Sequence, residues 1–148
     1  RNYGQGFATA EFLASAIVDM DLHSQPPQSD SSADPLAVQA ASLRRIAMPG
    51  EIVPRHGAPH FTHVFGGDGY AAGYYAYLWS EVLDADGFGA FEDAKDPFDP
   101  ATAQRLYRFI YSGGGTRDYA AAYRAFRGRD PHVEALLEGR GLKPPEAA

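Results

Sequence analysis

Apolar residues recur along most of this chain at three- and four-residue intervals, and no stretch alternates apolar and polar positions for the length of a strand. The pattern predicts helices throughout. From Phe7 to about His23, the positions Phe7, Ala10, Leu13, Ile17 and Met20 form one stripe, leaving Glu11, Asp19 and Asp21 for other faces. Asp34-Pro35 joins an acidic N-cap to a proline at the first helical position, satisfying one orphan amide and removing another. The helix it opens buries Leu36, Ala40, Leu43 and Ala47 and is stopped by Pro49-Gly50. A third helix starts near Tyr74 and runs towards Phe91, with Tyr74 and Tyr77 on one side of its first turn and Leu78, Glu81 and Val82 at helical spacing. Asp99-Pro100 repeats the start signal for a helix over about Ala101 to Ser112, which buries Leu106, Phe109 and Ile110 and ends where Gly113-Gly114-Gly115 frees left-handed angles. Thr116 or Asp118 caps a helix holding Tyr119, Tyr123 and Phe126. Asp130-Pro131 opens the last, with Val133, Leu136 and Leu137 as its apolar side and Gly139 or Gly141 as its end.

The breakers between these patterns complete an all-α reading, an irregular helical bundle with a glycine-rich loop. Ser24 to Ala33, with Pro26 and Pro27 in tandem, is an exposed connector rather than a domain boundary, so residues 1–148 form one domain. Pro54, Gly57 and Pro59 make residues 51–59 irregular, and a short extended piece follows at Phe61 to Phe65. Gly66, Gly67, Gly69 and Gly73 make Phe65 to Gly73 a mobile loop. The tail from Lys143 frays.

Composition narrows the function classes. Of 148 residues, 45% are hydrophobic, enough for a real core. Thirteen Lys and Arg against nineteen acids leave a net charge of −6, which argues against the cationic surface that phosphate binding needs, so no nucleic-acid partner is expected. The absence of cysteine removes disulfides and thiolate metal sites and is compatible with a reducing compartment without requiring one; the expected location is the cytoplasm. No apolar run reaches the roughly twenty residues of a membrane span, and residues 1–6 lack a leader's apolar centre, so no membrane partner is expected.

Most catalytic motifs are missing. There is no His-Glu-x-x-His, no Gly-x-Ser-x-Gly elbow, and Gly66-Gly67-Asp68-Gly69 lacks the ending of a phosphate loop. His56, His60 and His63 are spaced across Gly57 and Pro59, which spoil the helix needed to aim three rings together, so they read as loop histidines. What stands out is His60 to Trp79, with two histidines, four glycines and four tyrosines in twenty residues. Tyr74, Tyr75 and Trp79 also suit a plain core role. Tyr70 and Tyr77 would be separated by roughly 10 Å on a continuous helix, too far to meet one small group. A loop folded back over the helix start removes that limit, and both phenols with His63 could then donate to the oxyanion formed when water attacks a carbonyl.

Further segments share the character of a known family: Gln5-Gly6-Phe7-Ala8-Thr9, Glu11-Phe12-Leu13-Ala14, Met48-Pro49 to Arg55, Phe61-Thr62-His63-Val64-Phe65, Gly67 through Trp79 to Asp86, Gly114-Gly115-Thr116-Arg117-Asp118, Phe126-Arg127-Gly128-Arg129 and Gly141-Leu142. Together they resemble the carboxy-terminal portion of the thimet oligopeptidase family of zinc metallopeptidases, most closely its bacterial peptidyl-dipeptidase branch. The resemblance implies the carboxy-terminal part of a zincin-like catalytic domain that removes dipeptides from the free carboxyl ends of oligopeptides. It implies Tyr70 and Tyr77 as transition-state-stabilising groups and His63, Tyr74, Gly67 and Gly69 as substrate-binding positions, with the glycine loop a hinge closing on the peptide. Zinc serves the family, but its helix and third ligand, a glutamate, match nothing here. The expectation is therefore one wall of an active site that binds no metal and is inactive alone. Its partners would be the oligopeptide and the upstream catalytic region, and apolar surface left uncovered would favour self-association. The rival reading is a non-catalytic helical module that grips a peptide or protein.

Overall fold

A computed structural model describes residues 2–24 and 34–142; most of the connector expected at Ser24 to Ala33, and the tail from Lys143, lie outside the described residues. Among the described residues every regular element is helical. The chain divides into two compact units, Arg1–Tyr77 and Leu78–Ala148.

In the first unit, α1 spans Gln5–His23 and α2 spans Pro35–Arg45. The Asp34 carboxylate accepts from the Leu36 amide at 2.9 Å, the cap its sequence announces. A single 3₁₀ turn, Ala58–His60, leads into α3, Thr62–Phe65, so the extended piece expected there is instead one turn of helix. The small apolar core joins Ala16, Phe61, Val64 and Tyr74, with Phe12 packed against it.

Both buried faces differ from the apolar stripes. In α1, Phe7, Leu13 and Met20 are exposed, while Ala14, Ser15, Ala16, Val18 and Asp19 are buried. In α2, Ser42 is the buried residue, Leu36 is half exposed, and Ala47 lies beyond the helix end with φ 52°. The physical reason is polar fastening. The Ser42 hydroxyl donates to Asp21 at 2.6 Å, and Arg45 donates to the same oxygen at 2.6 Å. The Ser42 bond, joined by Arg45 against the opposing effect of burial, holds the Asp21 carboxyl below its ordinary value. Side chains that pair across α1 and α2, rather than the largest apolar ones, thus set which faces turn inward.

In the second unit, α4 runs Ala76–Asp93, its first two residues belonging to the first unit; α5 is Pro100–Leu106, α6 Tyr119–Arg127 and α7 Glu134–Gly139. Asp99 caps α5 by accepting from Thr102 N at 2.7 Å, and Asp118 caps α6 by accepting from Ala121 N at 2.7 Å. Asp130 does not open α7. It pairs with Arg124 at 2.7 Å, and the helix begins four residues later.

The turn after α5 widens into a π-helical Tyr107–Tyr111, closed by Ser112 N donating to Tyr107 O at 2.8 Å. Its Arg108 carbonyl accepts from Ser112 Oγ at 2.9 Å and from Arg117 Nη1 at 3.1 Å. Gly114 then takes φ 48°, the left-handed stop expected of the glycine run.

The buried set of this unit includes Val82, Ala90, Ala122, Tyr123 and Phe126, with Asp86 and Thr102 among them. Leu106, Phe109 and Ile110 are not enclosed as their spacing suggests: with Trp79, Phe88 and Phe91 they line an open groove of about 900 Å³. Asp86 receives Tyr123 Oη at 2.6 Å and Arg129 Nη2 at 2.7 Å, while Arg127 Nε lies 3.5 Å away and donates to the Asp86 carbonyl at 2.9 Å. Gly89 makes room for this network, since a Cβ there would stand 3.0 Å from Arg127 Nη2.

Candidate functional site

His63 comes from α3, Tyr70 and Tyr74 from the turns that follow, and Tyr77 from the first turn of α4. No straight helix carries the tyrosines. Gly73 N donates to Tyr70 O at 2.9 Å, Ala76 N to Gly73 O at 3.0 Å and Tyr77 N to Tyr74 O at 3.4 Å, so the chain folds back through successive turns before α4 sets in. The Tyr70 and Tyr77 rings consequently lie nearly parallel, 13° apart, with centroids separated by 6.2 Å. The roughly 10 Å of a continuous helix does not apply.

His63 sits among all three phenols. Its ring centroid is 4.3 Å from Tyr70, 5.7 Å from Tyr74 and 5.7 Å from Tyr77, and its Nε2 is 2.9 Å from the Tyr77 hydroxyl oxygen. Tyr74 forms the floor: it is 8% exposed, stacks on Phe12 at 5.1 Å and meets Phe61 edge-on at 4.9 Å. Tyr70 and Tyr77 stand above it, 47% and 41% exposed. Tyr75 and Trp79 are also exposed, contrary to a core role for them.

The Tyr77 phenol has its pKa raised above the ordinary 10.0, chiefly by its hydrogen bond with the Tyr70 hydroxyl and then by burial, with Tyr70 and Tyr74 adding repulsion to a phenolate. At neutral pH it is a proton-bearing donor. When His63 carries its proton on Nε2 it donates to Tyr77 Oη, so the phenol's own proton goes to the Tyr70 hydroxyl and turns from there to a ligand when one arrives. The opposite tautomer would consume that proton.

The glycines differ in what they permit. A Cβ on Gly66 would meet Thr62 O at 2.7 Å and one on Gly73 would meet Tyr70 O at 3.2 Å, whereas nothing lies within 4 Å of Gly67 or Gly69. Gly66 and Gly73 are close approaches of backbone, while Gly67 and Gly69 leave an open edge beside the phenols. Gly66→Ala is therefore expected to destabilise the chain by about 1–3 kcal/mol, because a backbone oxygen must move, and Gly69→Ala by less than about 0.5 kcal/mol. Urea denaturation of the two variants measures the difference.

The three spaced histidines do not converge. His56 stacks on Phe61 at 4.9 Å, while His63 is engaged by Tyr77. Among the described residues no three His, Asp or Glu side chains gather as metal ligands, so these residues do not fit a zinc ion.

The apolar pattern missed Asp19. This carboxylate, four residues before the end of α1, is 0% exposed and accepts from Ala72 N at 3.1 Å and Tyr74 N at 2.9 Å, fastening the tyrosine turn. A signal existed: Phe12, Ser15, Ala16, Asp19 and His23 form a second stripe at helical spacing, built of small, aromatic and polar residues.

The sequence profile of Peptidase family M3 matches residues 1–142. The chain is 34% identical over 141 residues to a dipeptidyl carboxypeptidase of Salmonella typhimurium, covering 95% of this chain and 20% of that protein. It is 37% identical over 145 residues to oligopeptidase A of Escherichia coli, covering 97% of this chain and 21% of that protein. A probable cytosolic oligopeptidase A of Arabidopsis thaliana is also 37% identical over 145 residues, with 96% of this chain and 20% of the relative covered. The chain thus spans about a fifth of the length of these curated relatives.

Proposed function

Because the chain belongs to peptidase family M3, a family of zinc-dependent metallopeptidases, we propose that residues 60–79 form the substrate-side wall of a peptide-hydrolysing site. Tyr77 and Tyr70 are its transition-state-stabilising groups; His63, Tyr74 and the open backbone at Gly67 and Gly69 are its substrate contacts. The observation that carries this reading is the meeting of two exposed phenols and an imidazole at one point, with the Tyr77 phenol kept protonated. Donors already held in place stabilise a developing oxyanion without the reorganisation that water would require. His63 in the Nε2-protonated form orients Tyr77, and Tyr74 fixes the height of both rings over the core.

The substrate is an oligopeptide, and the products are dipeptides released from its carboxyl end. A relative named dipeptidyl carboxypeptidase supports this, and relatives named oligopeptidase A support the broader peptide substrate. The zinc ligands belong to polypeptide outside these 148 residues, so the chain by itself hydrolyses nothing. A cytoplasmic location fits the absence of cysteine.

The test adds a zinc-loaded upstream catalytic segment of a family member in trans and follows the products from a free peptide. Dipeptide release that requires both components supports the reading. Tight peptide binding by this chain alone, with no rescue of cleavage, would replace it with the non-catalytic module.

The isolated chain is also expected to self-associate. The second unit carries its open apolar groove together with Phe88, Phe98, Tyr107 and Tyr111, each more than half exposed. Sedimentation velocity should show mass above that of the monomer rising with concentration, and Phe88→Glu should reduce it.

A further inference from the structure

We infer that Asp19 is a positioning residue for the tyrosine site, acting through the backbone of the turn that carries it. The inference rests on the function proposed above for Tyr70 and Tyr77, and it deepens that reading by naming what holds them.

Asp19 lies 53 and 55 residues before the two amides it binds, and it is fully enclosed. Its carboxylate oxygens are divided between them. Oδ2 takes Tyr74 N at 2.9 Å; Oδ1 takes Ala72 N at 3.1 Å and stands 2.8 Å from His23 Nδ1. That ring nitrogen is also 2.9 Å from the Asp19 carbonyl. Facing two acceptors, Nδ1 must carry a proton and donate it.

The pair reaches both halves of the site. The His23 ring stacks on Phe65 at 5.2 Å, the last residue of the helical turn that holds His63. The carboxylate holds Ala72 and Tyr74 on either side of Gly73, and Ala72 sits at φ 55°, a left-handed angle that a residue with a Cβ adopts only under constraint. Two charge-assisted bonds to alternate amides supply that constraint. Tyr74, once fixed, rests on Phe12 and offers its carbonyl to Tyr77 N at 3.4 Å. Displacing the turn moves the Tyr77 hydroxyl away from His63, and misplacement by an ångström at such a site lowers the rate on the order of 100-fold.

Asparagine is nearly the same shape as aspartate but offers one acceptor oxygen, so in Asp19→Asn an amide N–H faces another N–H. In the whole 148-residue chain, that variant is expected to raise amide exchange at Ala72 or Tyr74 by about tenfold or more and to shift the ring resonances of His63 and Tyr77. Ser42→Ala removes a partly buried bond to Asp21, on another face of α1, and should lower the melting temperature while leaving those resonances in place. Should Asp19→Asn fail to fold, the same measurements are made in Asp19→Asn with Ala72→Gly, where glycine relieves the left-handed angle and the acceptor is still missing. In the reconstituted peptidase, Asp19→Asn should lower kcat on the order of 100-fold with KM little changed. Unmoved His63 and Tyr77 resonances in the folded variant, or equal movement in Ser42→Ala, would overturn the inference. If Tyr77→Phe proves harmless while Asp19→Asn still moves these rings, the proposed function fails and the positioning role stands.

Discussion

Replacing Tyr77 with phenylalanine in the reconstituted peptidase should lower kcat by about 10²–10³-fold and leave KM within a few-fold, the effect of removing one oxyanion donor. The substitution deletes one oxygen and keeps the ring, so the stacking against Tyr70 and the edge contact with Tyr74 survive. What disappears is the hydroxyl beside His63 Nε2, a donor that forms its strongest bond only when charge develops on the attacked carbonyl. An interaction made in the transition state alone changes kcat, not ground-state binding. Tyr70→Phe should cost less and should also move the alkaline limb of the pH profile. The Tyr70 hydroxyl is the main reason that the Tyr77 phenol titrates above 10.0, so removing it brings that limb down towards this value. Steady-state kinetics on a free peptide, with thermal melts of each variant, separate this from a packing role. Unchanged kcat with a lowered melting temperature would reduce the tyrosines to core residues, an outcome that the 41% exposure of Tyr77 argues against.

Helix positions were legible in the sequence wherever their ends carried local chemistry. Asp34, Asp99 and Asp118 each accept from a first-turn amide, and Gly114 takes the left-handed angle that stops a helix, because caps and glycine stops depend on a few neighbouring residues. The reading failed where distant groups competed. Asp130 looks like another cap, yet Arg124 captures it. The apolar stripe of α1 points outward because Asp19 and Asp21 find partners on Ala72, Tyr74, Ser42 and Arg45, none of them near in sequence. Site chemistry could be read from the tyrosines, the histidine and the glycines. Their convergence could only be expected conditionally, since it depends on a turn that a carboxylate in another helix secures.

Asp86→Ala should destabilise the chain by about 3–5 kcal/mol, near the lower end, since it strands charges that were buried with their partner. Asp86 is 2% exposed, and its removal takes an acceptor from Tyr123 Oη and from Arg129 Nη2. Arg127, whose side chain is 11% exposed, keeps Asp93 at 2.8 Å, and Arg129, at 38%, can turn to water, which moderates the loss. The pH dependence identifies the cause. Burial by itself would push the Asp86 carboxyl up, but hydrogen bonds from Arg129 and Tyr123 and the charges of Arg129 and Arg127 outweigh it and leave the pKa below the ordinary 3.8. The folded state therefore binds this proton less readily than the unfolded chain. Its contribution is complete above about pH 3.8 and is lost as pH falls through the lower folded value. Asp21 and Asp99 are depressed in the same direction and remain in the variant, so their acid limbs are common to both proteins. Urea unfolding from pH 7 downwards should show wild type and Asp86→Ala well apart at neutral pH and converging below pH 3.8, where the wild-type carboxyl takes up its proton. Curves that stay parallel into that range would mean that the shape of the side chain, and not its charge, holds α4 to α6.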